Sequence, residues 1–394
     1  MRPRTSAKLD DDSVERVLRQ ARSTRRTVAG IDADPGYASE LPEEIGLELT
    51  HRCNLRCEHC FQWGEDGFHL PLAQQHAMKD LDIKIIERLL AETRPVKSDV
   101  YLWGGEPLVY SELDALVELL AADTRVTVLC TNGVGLEGRS GSLARIGPGL
   151  TCLVSVDGLR EDNDSIRGRN TFRHAMAGIS RLLEMKESGT YVGEVSVSAV
   201  LSARLIPRLV EFVEYFDAVG INTLYLVFPW YIPRDMASDM DKYFASNFDW
   251  LSISGDAGSL ASRHSWASYQ FHLPQGQVPE LVAKMAEIKA RRWRIRVRFR
   301  PDVSHNEVAG FAAGSDRPAE GRKRCLSVAT RLSVLPDGRV TTCKLFPEFV
   351  IGDLNFSPLT DLWHGEQARR ARATLSRGLT PVCSKCVQLY LHGE

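Results

Sequence analysis

From Ile45 onward the chain alternates short apolar runs with longer amphipathic stretches, and this alternation restricts the fold more than any other feature of the sequence. Apolar runs of roughly four to eight residues that alternate with helical segments are typical of a parallel sheet covered by helices. Six strands are predicted, near 45–50, 99–103, 126–130, 151–156, 194–200 and 223–228. Helices are predicted between them, near 76–92, 111–122, 171–186 and 206–219, with a weaker one near 141–146. Six such units in order predict an α/β protein with a partial, TIM-like (β/α)6 barrel.

Three cysteines follow the first predicted strand with the spacing C-x3-C-x2-C. They are Cys53, Cys57 and Cys60, in the run Glu48-Leu-Thr-His-Arg-Cys-Asn-Leu-Arg-Cys-Glu-His-Cys-Phe61. Three thiolates can hold three irons of a [4Fe–4S] cluster and leave the fourth iron open to an external ligand. A zinc site is the alternative, but three cysteines without a near fourth partner fit structural zinc poorly.

This run resembles the radical S-adenosylmethionine (radical SAM) superfamily. The resemblance implies that the open iron chelates the amino and carboxylate groups of SAM. Reductive cleavage then yields methionine and a 5′-deoxyadenosyl radical that takes a hydrogen atom from the substrate. It also implies a low-potential electron donor of the flavodoxin or ferredoxin type. His59 departs from the family pattern, which usually has a hydrophobic or aromatic residue before the third cysteine.

The second predicted strand ends in the run Trp103-Gly-Gly-Glu-Pro107. Gly104 and Gly105 allow the backbone to approach a ligand without a Cβ clash, and Glu106 can accept charge-assisted hydrogen bonds from an amine. The run resembles the superfamily's GGEP motif, which implies binding of the methionine amino group of SAM. Alone, such a run is most often an ordinary turn. Its place at a strand end after the cysteine loop makes it specific.

The third and fourth predicted strands also end in polar residues, Thr131 and Asn132 after the third and Ser155 and Asp157 after the fourth. Polar side chains where neighbouring strands end can reach ribose hydroxyls, and in similar enzymes the serine does so. Asp157 has a second interpretation, because Asp-Gly is also a common turn dipeptide.

An arginine in the run Ile166-Arg-Gly168 resembles the residue that pairs with the carboxylate of SAM. A planar guanidinium suits that role. The alternative is a solvated surface arginine, and Arg160 and Arg169 compete with Arg167 for the role.

The carboxyl-terminal part of the chain holds a second set of four cysteines. Pro336-Asp-Gly-Arg339 predicts a hairpin turn between the first two of them, and a helix around Trp363 precedes the last two. This layout resembles the SPASM/twitch extension of radical SAM enzymes, a small α+β iron–sulfur domain. Four thiolates can close around one auxiliary [4Fe–4S] cluster, with a zinc ribbon as the alternative. The four residues are Cys325, Cys343, Cys383 and Cys386.

Two cysteines remain. Cys152 starts the fourth predicted strand and is expected to be a small core residue. Cys130 ends the third strand, where core packing is the favoured interpretation and donation of a hydrogen atom to a substrate radical is the other.

Four segments are predicted along the chain. A polar lead-in contains one helix, about Asp12 to Arg25, whose Val14, Val17 and Leu18 are expected to dock on the main domain. The segments are the lead-in at 1–43, the barrel at 44–229, an aromatic and basic connecting region at 230–324 that we expect to form a substrate wall, and the SPASM/twitch domain at 325–394.

Within the connecting region, Trp293 to Arg300 alternates as one strand with a row of arginines on one face. Such a row is most often a solvated sheet edge that discourages aggregation. Binding of a carboxylate, a phosphate or an acidic peptide is the alternative.

Composition excludes several classes of partner. Lys and Arg (49) nearly cancel Asp and Glu (51), so no global field favours nucleic acid or an anionic membrane. Because no long apolar stretch occurs, we expect a cytoplasmic protein, whose nine cysteines then indicate metal binding and catalysis more than disulfides.

Together these patterns predict an oxidoreductase with SAM and two [4Fe–4S] clusters, one catalytic and one auxiliary. The expected substrate is a small polar natural-product intermediate, similar to an aminocyclitol or aminoglycoside, which undergoes dehydrogenation or dehydration. Glu65, Asp66 and His69 are candidate proton acceptors.

Three alternatives remain open. A maturase that cross-links or epimerises a ribosomally made peptide has a similar layout, although the lead-in is short for a leader-binding domain. A zinc-binding interaction protein and a non-catalytic iron–sulfur electron carrier are the others.

Overall fold

The computed structural model describes residues 3–7, 11–251, 263–314 and 321–393. A ten-stranded sheet forms its centre, in the order β12-β11-β10-β2-β3-β4-β5-β6-β7-β9, and β1 pairs with β8 in a separate sheet. The strands are β1 Arg4–Thr5, β2 Glu44–Glu48, β3 Asp99–Trp103, β4 Thr127–Thr131, β5 Leu150–Ser155, β6 Glu194–Val200, β7 Thr223–Val227, β8 Arg292–Trp293, β9 Arg296–Arg300, β10 Arg331–Val334, β11 Arg339–Thr341 and β12 Val350–Asp353. Parts of the predicted lead-in and connecting region, 8–10, 252–262 and 315–320, lie outside the described residues.

Strands β2 to β7 form the predicted partial barrel, each parallel to its neighbour. One face of these strands carries fully buried aliphatic side chains such as Leu102 and Val154, against which the helices pack. The other face, here called the interior face, carries Tyr101, Cys130 and Ser155.

The helices are α1 Asp11–Ala33, α2 Leu70–Gln74, α3 Ile83–Glu92, α4 Leu113–Ala122, α5 Leu136–Leu143, α6 Arg160–Arg167, α7 Thr171–Glu187, α8 Leu209–Val219, α9 Arg234–Asn247, α10 Val278–Ala290, α11 Val308–Ala312, α12 Ser327–Thr330, α13 Leu359–His364, α14 Glu366–Ser376 and α15 Val387–His392.

The sheet continues beyond the six barrel strands at both edges. Strand β9 pairs in parallel with β7, and β10 pairs in parallel with β2. The hairpin predicted at Pro336-Asp-Gly-Arg339 joins β10 to β11, and Gly338 adopts φ +92° in its turn. The predicted boundaries at 229 and 325 therefore do not divide the sheet, because the segments on either side of the barrel each add strands to it.

The arginine-rich strand differs from the prediction in two ways. It breaks into β8 and β9, because the carboxylate of Asp217 accepts the N–H groups of Arg294 (2.6 Å) and Ile295 (3.1 Å). The register of β9 on β7 and β6 also aligns Arg298 with Tyr225, on the interior face. The expected solvated edge is thus half-buried and faces the interior of the barrel.

The amino-terminal helix is longer than predicted and uses a different face. Val14, Val17 and Leu18 are exposed, so the prediction that they dock is wrong. The helix instead packs through its last turns, where Ile31 joins a small apolar cluster with Leu326. An apolar stripe identifies the face of a helix, but it does not say which turns meet a partner.

The aromatic stretch after the barrel is mostly core. Phe244 in α9, Trp266 and Tyr269 are each at least 95% buried, and they make edge-to-face contacts with Phe346 and Phe349 of the carboxyl-terminal segment. The expected substrate wall is therefore largely an interface between this region and the auxiliary domain. Across the described residues, no helix combines the length and the apolar character that crossing a membrane requires.

Candidate active site at the carboxyl ends of the barrel strands

The cysteine loop begins directly after β2 and is anchored to an extended segment ahead of α3. Thr50 bridges to Asp80 and its hydroxyl donates to the Asp80 carboxylate at 2.5 Å, with which Arg52 also forms an ion pair. The helix predicted over 76–92 is shorter for this reason, because the segment around Asp80 is extended to hold the loop.

The three cysteines of the loop form a donor set that fits a cluster. The sulfur of Cys53 accepts the N–H of Leu55 at 3.4 Å, and that of Cys60 accepts the N–H of Trp63 at 3.3 Å. Burial raises the pKa of Cys53 to about 11 and that of Cys57 to about 12, and the neighbouring cysteines add to both effects. Buried thiols with backbone N–H groups directed at their sulfurs suit iron, whose binding displaces their protons.

The two glycines after β3 pack against the backbone of the cysteine loop. The N–H groups of Gly105 and Glu106 donate to the carbonyls of Thr50 (2.8 Å) and Arg52 (2.9 Å). A Cβ on Gly105 would lie 2.1 Å from the Arg52 carbonyl oxygen, and Gly104 adopts φ +135°. We expected these glycines to allow the close approach of a ligand. In the structure they allow the close approach of the cysteine loop.

Glu106 is buried and largely satisfied by protein donors. Its carboxylate accepts from the hydroxyl of Thr131 (2.6 Å) and from the N–H groups of Asn132 (2.7 Å) and Leu108 (3.0 Å). The Asn132 amide in turn donates to Asn54 in the cysteine loop at 2.8 Å. Two carboxylate oxygens have about four lone-pair sites, so one further donor can still bind. The role of Glu106 toward an amine stays a prediction, while Thr131 and Asn132 are seen to order the site.

Asp157 is contacted by protein groups at both of its carboxylate oxygens. One of its oxygens accepts the N–H of Val200 (2.7 Å), and the other lies 2.5 Å from Nε2 of His59 and 2.6 Å from Nε of Arg167. Burial would raise the pKa of this carboxyl, but Arg167 and His59 outweigh burial and hold it far below its ordinary value. Asp157 thus contacts both His59 and Arg167, and its role toward the cofactor stays a prediction.

Arg167 is the buried member of the three arginines that competed for one role. Arg160 and Arg169 are exposed, whereas Arg167 is 8% exposed, and its Nη1 lies 3.9 Å from the sulfur of Cys57. Its Nη2 atom makes no hydrogen bond within the described ranges. Ser155 lies on the interior face at the end of β5, and its hydroxyl is likewise unbonded to any described residue. Both groups are thus positioned to bind a polar ligand beside the cysteine loop.

The two unassigned cysteines occupy different environments. Cys152 is fully buried in the helix-packed core, as predicted. Cys130 lies on the interior face, is only half-buried and does not belong to the helix-packed core, so core packing is the wrong interpretation for it. Its role as a hydrogen-atom donor stays a prediction.

A buried polar network on the interior side of the loop was missed by sequence reasoning. Glu48, at the end of β2, accepts from the amide of Gln62 at 2.7 Å, and Nε2 of His69 lies 3.6 Å from the same carboxylate oxygen. Burial raises the pKa of Glu48 to about 8 and lowers that of His51 to about 4. The sequence did hold one sign of this network, because Glu48 is a charged residue at the end of an apolar strand, just before the cysteine motif.

The geometry of this network disfavours a metal ion. The ligand atoms of Glu48, His51 and His69 do lie within 4.8 Å of one another. However, Nδ1 of His51 accepts the N–H of Lys79 at 3.1 Å, which places the imidazole proton on Nε2. A metal-bound histidine shows the reverse pattern, because its second nitrogen donates a proton to an acceptor.

Of the three candidate proton acceptors, only His69 is buried near the cysteine loop. Its Nδ1 atom has no partner among the described residues. Asp66 pairs with Arg263 at 3.1 Å, and Glu65 is exposed. His69 is therefore the proton acceptor among the three candidates, because the neighbouring Glu48, with a pKa of about 8, keeps its proton at neutral pH.

The second set of cysteines lines a single cavity between the hairpin and the carboxyl terminus. The hairpin positions Cys343, α12 follows Cys325, and a turn before α15 holds Cys383 and Cys386. Burial, together with the charges of Cys383 and Cys325, raises the pKa of Cys343 to about 12.

The surroundings of this cavity fit a cluster with four thiolate ligands. The hydroxyl of Thr380 lies 3.1 Å from the sulfur of Cys383. Two further wall residues, Thr342 and Gln388, each have a buried oxygen without a hydrogen-bond partner in the structure described. A hydroxyl beside the sulfur, together with unsatisfied polar atoms, indicates a polar group in this cavity.

Comparison with known families agrees with both cysteine sets. The model of the radical SAM superfamily matches residues 47–193, and that of an iron–sulfur cluster-binding domain, SPASM, matches residues 325–387.

Among curated proteins, the chain is similar to pre-heme d1 synthase of Dinoroseobacter shibae, with 31% identity over 196 residues, 49% of this chain and 45% of that protein. It is also similar to GTP 3′,8-cyclase 2 of Mycobacterium tuberculosis, with 35% identity over 164 residues, 40% of this chain and 42% of that protein. The chain thus spans less than half the length of these curated relatives.

Among solved structures, SuiB of Streptococcus suis bound to its precursor peptide SuiA superposes with a TM-score of 0.58 and 15% identity, covering 92% of this chain and 72% of that one. Native anSMEcpe with bound AdoMet superposes with a TM-score of 0.53 and 15% identity, covering 82% of each chain. These likenesses concern the fold.

Proposed function

Because the chain belongs to the radical SAM superfamily and carries a carboxyl-terminal SPASM domain, we propose that it oxidises a small polar substrate by hydrogen-atom abstraction. When bound, SAM and the first [4Fe–4S] cluster supply a 5′-deoxyadenosyl radical as the abstracting species. The residues of the chain bind and orient the cofactor, exclude water and accept the substrate's proton.

The position of Arg167 is the observation that carries this proposal. Its guanidinium is buried beside Cys57, and Asp157 fixes it through Nε, which leaves Nη2 for a carboxylate. The Ser155 hydroxyl ends the adjacent strand on the interior face. A carboxylate site and a hydroxyl next to three cluster thiols match the two ends of an amino-acid nucleoside such as SAM.

A dehydrogenation uses the second cysteine set. Removal of two hydrogens from a carbon–oxygen or carbon–nitrogen unit takes one hydrogen atom and then one proton and one electron. The proton has an acceptor in the buried imidazole of His69, and the electron would have one in the auxiliary [4Fe–4S] cluster that Cys325, Cys343 and the last two cysteines would hold. The proton and the electron removed from the substrate would then both have acceptors within the protein.

A small substrate is favoured over a peptide by what surrounds the interior face. Tyr101, Ser155 and Tyr225 line it with polar groups, and the aromatic region above it is packed into the core. The curated relatives named above are also named for small molecules, a nucleotide and a heme precursor. Peptide maturation is the second candidate, supported by the overall fold shared with SuiB in its complex with a precursor peptide.

Anaerobic reconstitution tests the reaction class. We expect about eight irons per chain and formation of 5′-deoxyadenosine from SAM when dithionite is added. The Cys53→Ala variant should lose 5′-deoxyadenosine formation, while Cys383→Ala should keep it and lose about four irons. A reconstituted enzyme with all its iron that leaves SAM intact would contradict the proposal.

The substrate class is tested by deuterium transfer. Deuterated aminocyclitols and a library of deuterated peptides are each incubated with enzyme, SAM and reductant, and the 5′-deoxyadenosine is analysed by mass spectrometry. Deuterium from a small molecule supports the first candidate. Deuterium from peptides alone would replace it with the second.

A further inference from the structure

We propose that a buried charge cluster formed by Arg331, Glu44 and Lys344 raises the reduction potential of the auxiliary [4Fe–4S] cluster and so suits it to accept an electron. The inference rests on the proposed function, because it concerns the group that the auxiliary cysteines would hold. It assigns a role to three residues that belong neither to the cysteine motifs nor to the SAM site.

All three residues line the cavity that contains the four auxiliary cysteines. Arg331, the first residue of β10, stands directly opposite Glu44, the first residue of β2, and the two form an ion pair. Lys344 directly follows Cys343 in the chain, and its Nζ lies 3.8 Å from the other oxygen of Glu44. The charge cluster therefore lies where the hairpin joins the barrel sheet.

The position of Lys344 also links the cavity to the barrel interior. Its ammonium lies 3.4 Å from the centre of the Tyr101 ring, a cation–π contact, and Tyr101 is one of the residues of the interior face. The residue that follows an auxiliary ligand thus contacts the face on which the substrate is expected. Lys385, the other lysine beside auxiliary cysteines, places its ammonium over the Phe311 ring and does not line the cavity.

The charge balance of the three residues is positive. Two cations and one carboxylate give a net charge of +1, and the side chains of Arg331, Glu44 and Lys344 are each about four-fifths buried. A cluster held by four thiolates is anionic and gains one more negative charge on reduction. Buried positive charge stabilises the reduced form more than the oxidised form, because the Coulomb interaction is weakly screened in the interior. The potential of the cluster is raised in consequence.

The test is a redox titration of the auxiliary cluster followed by electron paramagnetic resonance. It uses the full-length reconstituted enzyme, and a Cys53→Ala, Cys57→Ala, Cys60→Ala background to remove the signal of the first cluster. Lys344→Gln should lower the midpoint potential by at least about 59 mV, which corresponds to a tenfold change in the one-electron equilibrium constant. Glu44→Gln should raise it, because the same site then loses a negative charge.

The opposite signs separate an electrostatic role from a structural one, since general loosening of the cavity would not move the two variants apart. Lys344→Arg should keep the wild-type potential because it keeps the charge. Lys186→Gln is the matched control, a half-buried lysine of α7 that bonds to the Gly193 carbonyl (2.8 Å) away from the cavity. If Glu44→Gln fails to fold, Arg331→Gln replaces it with a lowered potential expected, and the unchanged potential of Lys344→Arg then separates loss of charge from loosening of the cavity.

Two results would overturn the inference. One is an intact auxiliary cluster whose potential is the same in wild type, Lys344→Gln and Glu44→Gln. The other is a shift of both variants in the same direction. SAM cleavage and the total iron count are measured separately in the same substitutions with Cys53, Cys57 and Cys60 intact, so failure of the inference is distinguishable from failure of the proposed function.

Discussion

The Nε2 atom of His59 lies 2.5 Å from an oxygen of Asp157, a residue 98 positions further along the chain. This contact ties the cysteine loop to the end of β5, and the same oxygen holds Arg167. His59 stands where the resembled family usually has a hydrophobic or aromatic residue. In this chain, the departure from the family pattern is therefore part of a buried ion network that positions the arginine beside Cys57.

Removing the charge of Asp157 should destabilise the protein strongly. Asp157→Asn leaves the buried Arg167 without its counter-charge, and breaking such a pair costs about 3–5 kcal/mol in the free energy of unfolding. Urea unfolding measures the loss. The control is Asp114→Asn, which removes an exposed pair with Arg139 and should cost less than about 1 kcal/mol. Equal effects of the two substitutions would contradict the role given to Asp157.

Replacing Arg167 should weaken SAM binding without preventing cluster assembly. A hydrogen bond to a charged group contributes about 1.5–3 kcal/mol, so Arg167→Gln should raise the Kd for SAM by roughly 10- to 100-fold. Equilibrium dialysis of the reconstituted enzyme with labelled SAM gives the affinity. Arg169→Gln, an exposed arginine two residues away, should bind SAM as the wild type does. A similar loss in both variants would contradict the assignment.

The barrel and both cysteine sets could be predicted because each depends on local patterns. Apolar runs located the six strands within one or two residues, and the spacing of the cysteines placed Cys53 and Cys343 with their partners. Residues that act through distant neighbours could not be placed in the same way. The contacts of Asp157 with His59 and Arg167, for example, follow from the tertiary structure and from no local pattern.

Other errors arose where one pattern fits two environments. The apolar stripe of α1 includes Val14 and Val17, but docking occurs further along the helix, near Ile31. The arginines of β9 alternate as on a solvated edge, and only the register with Tyr225 shows that they face the interior. Periodicity determines which residues share a face, whereas the tertiary structure decides what that face meets.

A methyl group on Gly105 should prevent assembly of the first cluster while the second still forms. Its Cβ would lie 2.1 Å from the carbonyl oxygen of Arg52, so the cysteine loop would have to move. We expect Gly105→Ala to lose about half of the iron that the wild type binds after reconstitution, with no 5′-deoxyadenosine formed. Gly141→Ala in α5 is the control, because nothing lies within 4 Å of its Cβ position. Full iron content in Gly105→Ala would show that the loop tolerates the displacement.

Glu48 should make the stability of the iron-free protein fall as the pH rises. Its pKa in the folded chain is about 8, raised by burial from an ordinary value of 4.5. Between these two pH values the folded state keeps a proton that the unfolded state has lost. The stabilisation is therefore complete below about pH 4.5 and is lost progressively up to about pH 8, by at most about 5 kcal/mol.

The measurement is the free energy of urea unfolding at a series of pH values from 5 to 8, for wild type and for Glu48→Gln. The amide of glutamine can still accept from Gln62, but it does not ionise, so the variant should lose less stability than the wild type as the pH rises. Glu65→Gln, at an exposed position, should follow the wild-type curve. Parallel curves for wild type and Glu48→Gln would mean that Glu48 is ionised in the folded protein. An ionised Glu48 could accept a proton from a substrate at neutral pH, whereas a protonated Glu48 would first have to lose its own proton.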